Sequence, residues 1–481
     1  MIAGETITKG QVVTTNNQGD LVVNGNLSPN PTLLSTGSLY GILMRIDASR
    51  ALFIYMTNAY VLTINADNSI SQGAACPISG NISGTVQAGS QVATLTPDGL
   101  SFLIYTASGT YNYLQVLTVS GTTISAGTTV SLNGNVTSCY LDRVDSTHVL
   151  VCSVGGAFSS IKMAIISGTT VSMGSGTLGL ASTGMNTIMG VLDSSHAFYS
   201  LNGTVYTFTY SSDGSSFTAG GSIIDISAIF GTTPPTTYIV ADAFNIYLLY
   251  AGGTGKGFYK LTFNAGYSSA FCSSYVPIPN KLIINATTPA SIDANTYLLS
   301  AVAPDSFSMS VVTATVSGGV LELTAGGKIP LPIKGYGVGM CAYLDPIRIL
   351  FGASASTGAN FYNQVLRLLG KKVYAPSINY GIAMNDAIAG NTVNVLVDGS
   401  SQAIYTDLIP GALYANFNGT LAPCGDRKSI QAPAPFMVTS GSSSTIPPFD
   451  LEQYDFDPYA VALSSTEIQI IDPLSSKGCV S

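Results

Sequence analysis

The chain contains only two histidines, His148 and His196, and each follows an aspartate by three residues, Asp145 and Asp193. Imidazole is a common metal ligand and a proton carrier near neutral pH. A pair at equivalent places in a repeat is therefore the first arrangement able to hold a metal. The position itself argues otherwise. In the other copies of the repeat it carries Arg50, Ser101, Asn245, Thr296 and Arg348, the variety of an exposed turn. No metal ligands are assigned.

Other stretches suggest chemistry and fall short of it. Gly252-Gly253-Thr254-Gly255-Lys256-Gly257 looks like a phosphate loop, but Gly257 stands where Ser or Thr is required and no helical pattern follows. It reads as a turn. Ser211-Ser212-Asp213-Gly214-Ser215-Ser216-Phe217 is faintly similar to the Asp-box of sialidases. Its glycine comes one place early, and the chain has no Trp. The acidic run from Asp450 to Asp457 has hard oxygen ligands suited to Ca²⁺ or to a basic partner, and is read as a solvated loop. With two His, no nucleophile elbow and no paired acid and base, no catalytic residue and no cofactor are expected. Tyrosine, present 26 times, offers an apolar ring and a hydroxyl suited to sugar or protein surfaces. Tyr111 and Tyr113, read as lying in a loop, and Tyr238, after Pro234-Pro235, are the candidates, against the commoner role of strand tyrosines in packing.

The elements that must position these residues follow from a repeat. Asp47, Asp98, Asp145, Asp193, Asp242, Asp293 and Asp345 recur at intervals of 51, 47, 48, 49, 51 and 52 residues. Each begins a short polar turn followed by an apolar run, such as Ala51-Leu52-Phe53-Ile54 or Ile246-Tyr247-Leu248-Leu249. An Asp carboxylate suits such a turn because it accepts a hydrogen bond from the amide two residues on, the Asx-turn. A second hairpin follows in each repeat, with turns such as Asn65-Ala66-Asp67-Asn68, Ser120-Gly121-Thr122-Thr123 and Ser317-Gly318-Gly319. Gly and Asn there tolerate positive φ. Two hairpins make four strands in about 50 residues, the content of one propeller blade. Neighbouring blades must cover each other's faces, and a ring leaves no terminal face exposed. The expected fold is all-β: a seven-bladed β-propeller over residues 38–375.

Composition narrows the partners. Only 9% of residues are charged while 46% are hydrophobic; ordinary domains carry about 25% charged residues. No apolar run reaches the ~18 residues of a membrane-spanning helix, so no membrane insertion is expected. A net charge of −8 with 17 basic residues argues against nucleic acid, whose phosphates call for Lys and Arg. The first residues lack the basic and apolar regions of a secretory signal. Seven cysteines show no metal or CxxC spacing. Cys139 and Cys152 flank the Asp145 turn and are candidates to face each other across a hairpin, with buried free thiols the favoured state.

Residues 1–37 and 376–481 fall outside the repeat. They carry "AGETITKGQVV" with "GDLVV", "GIAMNDAIAGNTVNVLVDG", "LIPGALYANFNGTL" and "AVALSSTEIQII", and Ser440 to Pro448 reads as a flexible loop. In this order the phrases resemble a small β module of tail-fibre-like and decoration-like virion proteins of tailed bacteriophages, marine phages among them. The resemblance implies a module split by insertion of the propeller, its two parts pairing in space. It further implies a structural protein on the particle exterior, a tail fibre or receptor-binding component rather than an enzyme. The implied partners are other virion proteins and a host surface glycan or protein, with a homotrimer as the default assembly. A capsid fibre or decoration protein is the alternative within this class. A polysaccharide-acting propeller enzyme is the alternative outside it, and a cellular adhesin is disfavoured by the missing signal.

Overall fold

The computed structural model describes residues 41–82, 92–96, 98–108, 111–132, 138–155, 159–180, 188–201, 204–225, 237–250, 256–279, 282–284, 289–302, 308–326, 329–330, 339–354, 360–369 and 372–373, together with Ile7, Val136, Asp386 and short strands at either end. Every element named below is a strand, and the repeat unit is an antiparallel sheet. The first blade runs Gly41–Arg45, Arg50–Tyr55, Asn58–Ile64 and Ile70–Gln72, with each strand hydrogen-bonded to the next. Six further sheets repeat this order, and the chain folds as a seven-bladed β-propeller.

Burial follows from the pattern within each repeat. The run after each aspartate is covered on both sides: Ala51, Leu52, Phe53 and Ile54 are all at 0% exposure. A short, continuous apolar run bounded by turns is the sequence form of such a strand. Because side chains alternate across a strand, odd and even residues serve different neighbours. Leu52 and Ile54 meet Phe102 and Ile104 of the second blade, whereas Phe53 and Tyr55 meet the seventh. The outermost strand, such as Thr123–Leu132, is largely exposed and rich in Ser and Thr.

The same face-to-face packing continues around the ring. Leu103 and Leu114 pack with Leu141 and Val151 between blades two and three. One larger cluster joins blades three, four and five through Leu150 and Met163, Phe198 and Phe208, and Ile246 and Leu248. Tyr247 and Leu249 meet Leu299 and Val312 between five and six, and Leu298 and Met309 meet Ile349 and Phe351 between six and seven. At the seam, Leu43, Phe53 and Leu62 of the first blade meet Met340, Leu350 and Val365 of the seventh. The ring is closed.

Closure has a backbone component that the repeat does not register. In the seventh blade Asn360–Leu369 pairs with Lys372–Val373 near one end and with Thr32–Thr36 near the other. A strand from before residue 38 thus completes the outer edge of the last blade. Upstream of it, Val12–Thr15 lies between Leu21–Val23 and Gly381–Ala383, with Val12 opposite Ile382. The two ends of the chain therefore share one sheet, extended by Val395–Leu396. A second sheet is ordered Ser401–Ala403, Glu467–Ile470, Ala460–Ala462, Leu413–Phe417, Thr420–Cys424.

Two expectations change. Tyr111 and Tyr113 lie in the strand Tyr111–Ser120 rather than in a loop; the alternation of that segment continues to its first residue. Cys139 pairs with Ser153 and Tyr140 with Cys152, a one-residue offset that sends the thiols to opposite faces. Cys139 packs toward the second blade and Cys152 toward the fourth. Both are buried and neither is in a disulfide, and burial pushes the Cys152 thiol up to about 12.

The seam sets a stability test. Phe53→Ala should cost about 3–5 kcal/mol by denaturant unfolding, as expected for truncating a fully buried aromatic. Deleting residues 1–37 should lower the melting temperature further, because the seventh blade then loses a paired strand as well.

Candidate functional site

In an antiparallel blade the first and third turns fall at one end and the second at the other. The Asp turns and the second-hairpin turns therefore share one face of the ring.

All seven repeat aspartates form the same turn. The carboxylates of Asp47, Asp98, Asp145, Asp193, Asp242, Asp293 and Asp345 accept the amide hydrogens of Ser49, Leu100, Thr147, Ser195, Phe244, Asn295 and Ile347 at 2.7–3.0 Å. The third position has a role that sequence reading missed, although its constant polarity was the signal. Arg50 Nε and Arg348 Nε donate to Asp47 and Asp345 at 2.7 Å. The Nδ1 atoms of His148 and His196 lie 3.0 Å from Asp145 and Asp193, and Asn245 Nδ2 donates to Asp242 at 2.8 Å. Each histidine is thus held by its own aspartate, and no group of three metal-binding side chains occurs among the described residues.

These side chains also reach forward. Arg348 donates to Asn68 Oδ1 at 3.2 Å and to the Ala48 carbonyl at 3.1 Å, across the seam into the first blade. Arg50 donates to the Gly121 carbonyl of the second blade. The His196 ring lies 4.6 Å from the Tyr267 ring of the fifth blade. In the fifth blade Tyr247 and Lys260 both donate at 2.8 Å to the Gly319 carbonyl of the sixth. At each of these joints, the second-hairpin turn of a blade docks on the blade before it. Gly127 shows why a glycine is needed, since an added Cβ would collide with the Thr169 carbonyl in the next blade's turn.

Near the axis, one carboxylate joins three blades. Asp142 Oδ2, on the innermost strand of blade three, accepts the Val191 amide of blade four and the Tyr238 hydroxyl of blade five, both at 2.6 Å. The Tyr238 ring crosses Gly190 to reach it and meets Phe198 edge-on at 5.2 Å. Burial raises the Asp142 pKa, although the hydrogen bonds from Tyr238 and Val191 work against that rise. Of the three candidate tyrosines, Tyr238 is therefore a bridging residue, while Tyr111 is exposed.

The remaining motifs divide. Asp213 occupies a second-hairpin turn and accepts the Ser215 amide at 3.0 Å. Gly252 to Gly255, Ser440 to Pro448 and the acidic run 450–457 lie outside the described residues, whereas Gly257 begins the strand Gly257–Phe263.

No family model matches the chain, and no curated protein matches it. Among solved structures, a Lactobacillus plantarum protein is similar at 11% identity over 68% of this chain and 97% of its own, with a TM-score of 0.43. A functionally unknown protein from Desulfotomaculum acetoxidans is similar at 12% identity over 74% of this chain and 100% of its own, TM-score 0.41. The S. cerevisiae core factor is similar at 7% identity over 70% of this chain and 60% of its own, TM-score 0.42.

Two predictions follow from this geometry. Partial burial alone would raise Asp47, Asp145 and Asp193, but the bonds from Arg50, His148, His196 and nearby turn groups hold them below 3.8. Bonds from Ser211 and Ser215 take Asp213 down to about 2. A lowered folded pKa gives stability that is present above the unfolded value and lost as pH falls through the folded one. Melting temperature should therefore decline between about pH 4 and pH 2, and Asp145→Asn with Asp193→Asn should flatten that decline. Asp142 has the opposite sign: its contribution is present below 3.8 and lost as pH rises through its raised value. Gly190→Ala would place a methyl 2.5 Å from Phe198 and 2.8 Å from Tyr238, and should cost about 1–3 kcal/mol by denaturant unfolding.

Proposed function

We propose that the chain is a structural protein of a tailed-phage virion, acting as a tail fibre or receptor-binding component. The observation that carries this reading is the pairing of Val12–Thr15 with Gly381–Ala383. Both ends meet in one sheet, so the propeller is an insertion carried by a small module whose phrases resemble those of phage fibre and decoration proteins. In this reading the module attaches to other virion proteins and the ring presents a face to a host glycan or protein. A homotrimer is the proposed assembly.

The polar groups of the ring favour a rigid scaffold. The repeat carboxylates are engaged within their own turns, and Asp142 is engaged between blades. The hydroxyl-rich, weakly charged exterior suits a durable particle.

Cryo-electron microscopy of the particle carrying the chain tests this. The expected density lies at a tail or fibre tip, with both chain ends in the particle and one face of the ring free. Density lying flat between capsomers, with both faces of the ring in contact, would overturn host recognition and leave capsid reinforcement.

A further inference from the structure

One place on the Asp-turn face differs from the others. Phe244 is the only aromatic residue two places after a repeat aspartate; the equivalent residues are Ser49, Leu100, Thr147, Ser195, Asn295 and Ile347. The second-hairpin turn beside it holds Tyr267, whose φ is +51°. A bulky residue in the left-handed region is uncommon, and it persists only where its surroundings over-determine it.

Here they do. The Tyr267 amide donates to the Asn264 carbonyl at 3.0 Å, and Asn264 Oδ1 accepts the Ser268 amide at 2.8 Å. The Tyr267 carbonyl accepts Thr207 Oγ1 of the fourth blade, and its hydroxyl donates to the Ala243 carbonyl, both at 2.9 Å. Phe244 and His196 then lie against the fixed ring, with centroids at 5.6 Å and 4.6 Å and interplanar angles of 29° and 34°. Phe244 is 39% exposed, and His196 is partly exposed.

We propose that this aromatic cluster at the junction of blades four and five is a stacking subsite for a neutral sugar ring. The proposal rests on the host-surface reading above and names the place where a glycan is held. The choice of a neutral ligand follows from the flanking groups. Asp193 is engaged by the Ser195 amide and hydroxyl and by the His196 amide and ring. Asp242 is engaged by the Phe244 amide and by Asn245 Nδ2. Those carboxylates have their donors already, so a cation gains little from them. What faces outward is the Phe244 ring with part of His196, backed by Tyr267, which is itself only 5% exposed; an uncharged ring face of this kind matches the C–H face of a sugar. Fixing the rings before binding lowers the ordering cost on association.

The test uses the full-length protein, a panel of neutral oligosaccharides (cellotriose, maltotriose, chitotriose and a galactose-terminated trisaccharide), penta-lysine, and whole host cells. The expected result is binding of at least one oligosaccharide, about two- to tenfold weaker in Phe244→Ala. Phe244→Tyr should restore it, and Tyr111→Ala should leave it unchanged. If Phe244→Ala binds the sugar as the unaltered protein does, the subsite is wrong while the host-surface reading stands. If no sugar is bound, or penta-lysine alone is bound, the proposal is overturned. Cell binding then decides separately whether the host-surface reading survives.

Discussion

A four-stranded blade with apolar side chains on both faces is insoluble alone, and this constraint organises the molecule. Each face needs a neighbour, and each neighbour brings another face to cover. A ring of seven satisfies all of them only when the first and last blades meet. Phe53 and Leu43 against Met340 and Val365 supply that contact, and Arg348 reaches over the same seam to Asn68 and Ala48. The strand Thr32–Thr36 adds backbone pairing to the last blade. Apolar burial is non-directional, so it does not by itself fix the rotation of one blade on the next. The docked hairpin turns supply that direction through hydrogen bonds such as those onto Gly319.

The low charge of the chain is consistent with how its charges are used. Nearly all of the described aspartate chemistry is local: a carboxylate takes the amide two residues on and, in most blades, the side chain three residues on. Such a turn suits Asp because the acceptor oxygen replaces a backbone partner that a tight bend cannot provide. Asp142 is the exception. It stands away from the turns, half-buried among three inner strands, and is held by a backbone amide and a phenol instead of a cation. Removing the phenol would leave a partly desolvated carboxylate with one fewer donor, which is costly away from bulk water. That explains why Gly190 has no side chain where the Tyr238 ring must pass.

What was legible in the sequence was what is local. The seven aspartates, their Asx-turns and the glycine-bearing hairpins all lie within a few residues of the groups they bond, so spacing reveals them. The constant polarity after each aspartate was visible too, but its meaning as a partner to the carboxylate was not, because Arg, His and Asn look unlike one another as letters. Long-range contacts left no such trace. Asp142 and Tyr238 lie 96 residues apart, and Arg348 and Asn68 lie 280 apart. The closing strand Thr32–Thr36 precedes the first aspartate, so no period announces it. Cys139 and Cys152 are the buried thiols that the sequence favours; that they do not face each other was not legible, because a one-residue difference in register reverses the face of every side chain.

The position of the closing strand bears on how a ring is carried by its ends. Thr32–Thr36 and Asn360–Leu369 pair within one blade, so the chain enters and leaves the propeller at the same place on its circumference. Beyond it, Val12–Thr15 and Gly381–Ala383 meet in one sheet. A module interrupted in this way keeps its own strand pairing however large the insertion is. At the seam, apolar packing, the Arg348 contacts and the added strand coincide. Only four residues separate Thr36, paired into the seventh blade, from Gly41, which opens the first, so the closing strand also gives the seam a direct chain connection.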